Sequence, residues 1–141
     1  MNTKLRTLKH MRRVREQLRD VATARVTLAG IALEHANNRR DQAVATVEAH
    51  LDRPPVDAEA AVALLIYDDA RLMLESNATA VRAERADELS KLDAARGVLR
   101  GREKELRSTE RSIFQNEREL QRREHRADQR MADDLSGRRP R

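Results

Sequence analysis

The sequence predicts an all-α protein: two long helices forming an antiparallel coiled-coil hairpin, with the C-terminal helix longer and overhanging. Three observations predict it. Ala (21 residues), Leu, Glu, Arg and Gln dominate, whereas aromatics make up 1% of the chain (Tyr67, Phe114, no Trp). Large apolar residues recur at heptad spacing, most clearly as Leu92, Leu99, Leu106, Ile113, Leu120 and Ala127. The one hard break is Pro54-Pro55. Ala and the unbranched side chains favour helix, a sustained seven-residue repeat is the mark of paired helices, and consecutive prolines cannot continue one.

The first helix is expected over about residues 3–51. It carries an apolar stripe Val14, Leu18, Val21, Leu28, resuming as Val44, Val47, Leu51 after Gly30, where the phase changes and a bend is expected. A turn follows at about 52–56, with Asp57 as N-cap and Glu59 in the first turn of the next helix. The second helix is expected over about 57–135, with a weaker interruption conceivable at Ser76-Asn77 and a disordered tail at 136–141. The whole chain, 1–141, then makes a single helical hairpin. Neither helix has enough apolar surface to be stable by itself, so the two must pair.

If Pro54-Pro55 forms the apex, facing residues have numbers that sum to about 108. Val44 then meets Leu64, Val47 meets Val62, Leu28 meets Val81, Leu18 meets Leu89 and Leu8 meets Leu99. Residues 108–135 project beyond the first helix. From about residue 106 the apolar seam narrows to one column, because the companion positions hold Arg102, Thr109, Asn116 and Arg123. The projection is rich in arginine, including Arg107, Arg111, Arg118, Arg122, Arg123, Arg126 and Arg130.

Charge is segregated along the chain. Residues 1–51 hold 10 basic and 5 acidic side chains, residues 52–95 hold 5 and 10, and residues 96–141 hold 14 and 9. Folding back at the prolines would gather both basic segments at one end and leave the acidic segment at the other. That suits a linker between two different partners.

Ordinary enzymes are excluded by the shortage of bulky apolar residues, since a substrate pocket needs the same walls as a core. No cofactor and no metal are expected. Cysteine is absent, and His10, His35, His50 and His125 have no metal-like neighbour at helical spacing. The four glycines are isolated and form no phosphate loop. The N-terminus has no apolar leader and no long apolar run occurs, so a cytoplasmic protein without membrane insertion is expected. Arginine alternates with glutamate in the C-terminal helix, which speaks against nucleic acid as a partner. The densest apolar segment, Leu64-Leu65-Ile66-Tyr67 with Leu72-Met73-Leu74, falls beside the turn. It reads either as local packing or as a partner patch.

Glu124-His125-Arg126-Ala127-Asp128-Gln129, Met131-Ala132-Asp133-Asp134 and the basic tail Arg138-Arg139-Pro140-Arg141 resemble the end of the flagellar member of the FliJ/YscO family. That family comprises the stalk proteins of type III export ATPases in flagella and injectisomes. Tyr67, Leu74 and Glu75 resemble a stretch that docks there to the membrane export gate, departing at Ala70, where the flagellar pattern has a bulky aromatic. The resemblance implies a non-enzymatic coupling subunit at the inner-membrane secretion apparatus. The end holding both termini would bind a hexameric export ATPase through Leu106, Ile113, Leu120, Arg122, Arg123, Arg126 and Arg130. The tip, with Tyr67, Leu74 and Glu75, would face the export-gate membrane protein or secretion chaperones. The alternatives are a self-associating structural coiled coil and a basic coiled-coil nucleic-acid binder.

Overall fold

The computed structural model describes residues 2–56 and 60–137. It consists of two helices, α1 (Thr3–Leu51) and α2 (Ala60–Gly137), and the described residues include no strand. The Asn2 side chain caps α1, its Oδ1 accepting the Lys4 backbone N–H at 3.1 Å. The helix closes with the Asp52 N–H donated to the Glu48 carbonyl at 2.9 Å. α1 runs through Gly30 and α2 runs through Ser76-Asn77. The helix continues to Gly137, two residues into the expected tail, helped by the Ser136 hydroxyl donating to the Asp133 carbonyl at 2.9 Å. The expected cap Asp57, with Glu59, lies outside the described residues.

Two units can be delimited. Unit 1 combines residues 1–21 with 100–141, and unit 2 comprises 22–99.

Within unit 1 the sheltered positions of α1 are Leu5, Leu8, Arg12, Arg15 and Arg19, and those of α2 include Arg102, Leu106, Thr109, Ile113, Asn116 and Leu120. Both sets advance in alternating steps of three and four residues, as an antiparallel helix pair requires. Leu5, Leu106 and Ile113 are at most 5% exposed, and Thr109 is 2% exposed. Lys9 pairs with Glu117 at 3.2 Å, and the Arg15 guanidinium donates to the Thr109 hydroxyl and to the Glu105 carbonyl. The apolar seam is one column wide beyond residue 106, as expected, and the companion column is polar: Thr109 takes Arg15 from α1, whereas Asn116 donates to the Ser112 carbonyl and Arg102 pairs with Glu105 within α2.

Within unit 2 the α1 seam is built on a seven-residue run of alanines, Ala22, Ala29, Ala36 and Ala43, flanked by Val26, Leu33, Arg40 and Val47. Ala36 is fully buried. Ala43 packs with Ala78 and Val81, and Val47 lies against them. Arg85 donates to the Asn37 side chain at 2.6 Å, and Arg39 pairs with Glu84 at 3.6 Å.

These contacts correct the expected register. Lys9 with Glu117 sums to 126 and Arg15 with Thr109 to 124. In unit 2, Asn37 with Arg85 sums to 122 and His50 with Tyr67 to 117. The sums exceed 108 by 16 to 18 in unit 1 and by 9 to 14 in unit 2, shifts of between one and three heptads that the apolar period alone does not fix. Its cause lies at the apex. The last residues of α1 meet Tyr67, so residues 60–66 of α2 precede the level at which α1 ends. The prolines are not the midpoint. Leu64 (49%), Val62 (65%) and Leu28 (66%) are consequently exposed rather than paired as expected. The α1 stripe also turns outward: Val14, Leu18 and Val21 are 42, 37 and 51% exposed.

Two stability measurements check this packing by urea denaturation followed by circular dichroism. Leu106→Ala and Ile113→Ala each cost about 2–4 kcal/mol, as for buried large-to-small changes, whereas Phe114→Ala, at an exposed position, costs less than about 1 kcal/mol. Gly101→Ala adds about 1 kcal/mol, since nothing lies within 4 Å of the Cβ it would carry in a helix interior.

Candidate interaction surfaces

Two stretches of α2 are left without α1 beside them. The first is its C-terminal end, in unit 1. Asn2 and Lys4 share a crevice with Asn116, Glu119, Leu120 and Arg123, which marks where α1 begins. Residues beyond Arg123 have no α1 residue opposite, and every residue from 121 to 137 is exposed. At 1.5 Å per residue the free end is about 21 Å long, half the length inferred from the sequence register. The structure therefore separates the expected ring-contact residues into two groups. Leu106 and Ile113 belong to the internal seam at 5 and 4% exposure, and Leu120 is half-buried at its edge. Ile113 and Leu120 were expected on the projection because the register placed residue 1 opposite residue 107. Arg122, Arg123, Arg126 and Arg130 do project, and none of the four makes an ion pair among the described residues. Four guanidinium groups in water, each able to grip a carboxylate through two parallel N–H bonds, form a cationic binding strip. Nearby, Arg118 stands 5.6 Å over the exposed Phe114 ring.

Charge reinforces this. Unit 1 contains 20 basic and 11 acidic side chains, net +9, and unit 2 contains 9 and 13, net −4.

The second stretch is the start of α2, in unit 2. Val62, Leu65 and Ile66 there are 64–65% exposed, and past Tyr67, where α1 runs alongside, Leu72 and Met73 continue the outward face at 57 and 74%. The three residues expected to make the tip contact do different things. Tyr67 is half-buried and stacks on His50, ring centroids 4.3 Å apart at 18°. The His50 Nε2 lies 2.9 Å from the Tyr67 carbonyl, and the Tyr67 hydroxyl donates to the Leu51 carbonyl at 3.5 Å. Tyr67 thus fastens the end of α1 to α2. Leu74 is half-buried at a seam position, and Glu75 is exposed, its backbone carbonyl taking the Thr79 hydroxyl at 3.0 Å. The outward apolar residues here are Val62, Leu65, Ile66, Leu72 and Met73 instead. Helical spacing counted from Tyr67 would have separated them from the seam.

No group of three or more His, Asp or Glu side chains among the described residues is placed to hold a metal ion. Likewise no helix among them is long and apolar enough to cross a membrane. The Lys91 ammonium is held above its ordinary pKa by hydrogen bonds to Asp87 and Glu88, which fixes it as a cation on the outside of unit 2.

Comparison with protein-family models, with curated proteins and with solved structures finds no match to this chain.

The Tyr67 fastening is tested by hydrogen exchange. Tyr67→Ala removes the stack and costs about 0.5–1.5 kcal/mol beyond the lost burial, so amides of the last two turns of α1 exchange faster. Leu65→Ala and Met73→Ala, both outward-facing, stay within about 0.5 kcal/mol of the unaltered protein.

Proposed function

We propose that this chain is a non-enzymatic coupling subunit of a type III secretion or flagellar export ATPase. On this reading the Arg-rich end of α2 binds the hexameric ATPase ring, and the exposed start of α2 faces the export gate or secretion chaperones. The observation that carries the reading is the unpaired run of Arg122, Arg123, Arg126 and Arg130 on a helix end with no α1 residue opposite. Isolated helix ends in water fray, so a helical, cationic end is most useful where a partner surrounds it.

Several features support the reading. The net +9 of unit 1 suits a partner surface that carries carboxylates, and the resemblance at residues 124–134 falls on this same stretch. The work would be mechanical and allosteric. A helix that touches several subunits at once stabilises their assembly by the free energy of its own binding. Arg–carboxylate pairs give orientation, since each guanidinium presents a flat fork of donors. The site would be cytoplasmic and peripheral to the inner membrane.

A self-associating helical protein is the second reading, favoured by the outward Val62, Leu65, Ile66, Leu72 and Met73 of unit 2. Sedimentation equilibrium separates the two, because a coupling subunit is monomeric at micromolar concentration and a self-associating one is not.

The direct test replaces Arg122, Arg123, Arg126 and Arg130 together by Glu. The variant keeps its helicity by circular dichroism and loses stimulation of the export ATPase of the same cell. Full stimulation by the variant would overturn the assignment of this end as the ring contact.

A further inference from the structure

Residues 11–21 of α1 carry an uncovered apolar stripe. Inside unit 1, Arg15 reaches across to α2, donating to the Thr109 hydroxyl and the Glu105 carbonyl, while the Arg12 and Arg19 side chains pair within α1 and stay 40 and 39% exposed. Met11, Val14, Leu18 and Val21 are left outside the seam, at 37, 42, 37 and 51% exposure. Aliphatic side chains left in water on one face are the reverse of what transfer from water favours, so covering them is favourable. The outward four follow one another at steps of three, four and three residues, one continuous stripe over nearly three turns. That spacing is what a further helix needs in order to lie alongside α1.

The surroundings of the stripe identify the kind of helix. Met11, Val14 and Leu18 line one crevice together with His10, Arg15, Arg102 and Glu105. The Glu105 carboxylate takes Arg102 at 3.2 Å and its backbone carbonyl takes Arg15 at 2.9 Å. The crevice thus sets three apolar side chains beside two guanidinium groups and one carboxylate, leaving a net positive charge. Unit 1 as a whole is net +9, so a second copy of the same face would be repelled.

We propose that the Met11-Val14-Leu18-Val21 stripe is a docking face for an amphipathic helix of an acidic protein partner, which packs its apolar side on the stripe and sets its carboxylates against Arg15 and Arg102. This face is separate from the Arg-rich end of α2 and does not depend on the ATPase reading. Covering the stripe takes its apolar surface out of water and leaves the flanking guanidinium groups to face the partner's carboxylates.

The test uses the full chain and a fluorescein-labelled helical peptide with Leu at heptad core positions and Glu at the flanking ones. Fluorescence anisotropy gives saturable binding that weakens at high salt. Val14→Glu with Leu18→Glu weakens it by at least about tenfold at unchanged helicity, and so does the milder pair Val14→Ser with Leu18→Ser. The fourfold Arg→Glu variant of the α2 end still binds the peptide saturably and still loses that binding on Val14→Ser with Leu18→Ser, which separates this face from the proposed ring contact. Absence of saturable binding up to about 100 μM would overturn the proposal. So would equal affinity in the double variants. A dimer of the unaltered chain that dissolves on Val14→Ser with Leu18→Ser would also overturn it, by assigning the face to a second copy.

Discussion

The strip that α1 and α2 bury against each other is the constraint from which the other features follow. Charged residues make up 38% of the chain, and large apolar ones are too few to build a core with more than one layer. Long helices of such composition are unstable in water unless one face is covered. The strip provides that cover with unusual materials. In unit 2 it relies on alanines at seven-residue intervals, of which Ala22, Ala36 and Ala43 are buried. In unit 1 it combines Leu5, Leu106 and Ile113 with Arg15, whose guanidinium finds oxygen acceptors across the seam.

Register then decides which side chains are left for other molecules. Because α1 ends beside Tyr67 and begins beside Leu120, the free parts of α2 are its first turns and its last fourteen or so residues, about four turns at helical pitch. The two free parts are chemically unlike. One displays Val62, Leu65 and Ile66, and the other displays four unpaired arginines. Two chemically different free stretches on one helix are suited to holding two different partners, which is the physical basis of the proposed coupling role.

The fold class, both helix spans and the break between them were legible because helix propensity, heptad recurrence and proline act locally. The α2 seam was legible too, since Leu92, Leu99, Leu106 and Ile113 are large and evenly spaced. The α1 seam was not. Attention to large side chains selects Val14, Leu18, Val21 and Leu28, whereas burial selects Ala22, Ala29, Ala36 and Ala43. The seven-residue alanine run was the available signal, and it is quiet because alanine also populates exposed helix faces. Register escaped for a different reason: a seven-residue repeat is blind to slips by whole heptads, and the apex was displaced from the prolines. Arg122, Arg123, Arg126 and Arg130 were placed correctly on the free end because they lie beyond any plausible register, while Ile113 was not.

The most direct test of the account is the register in unit 1, measured by dipolar spectroscopy between spin labels on the full chain. One variant carries labels at Lys9 and Glu117, and the other at Lys9 and Arg100. The structure places Lys9 against Glu117, so that pair gives the shorter distance, and the second is longer because its sites are separated by about 25 Å along α2. A shorter distance for Lys9 and Arg100 would restore the proline-centred hairpin, return Ile113 to a free projection, and contradict the account.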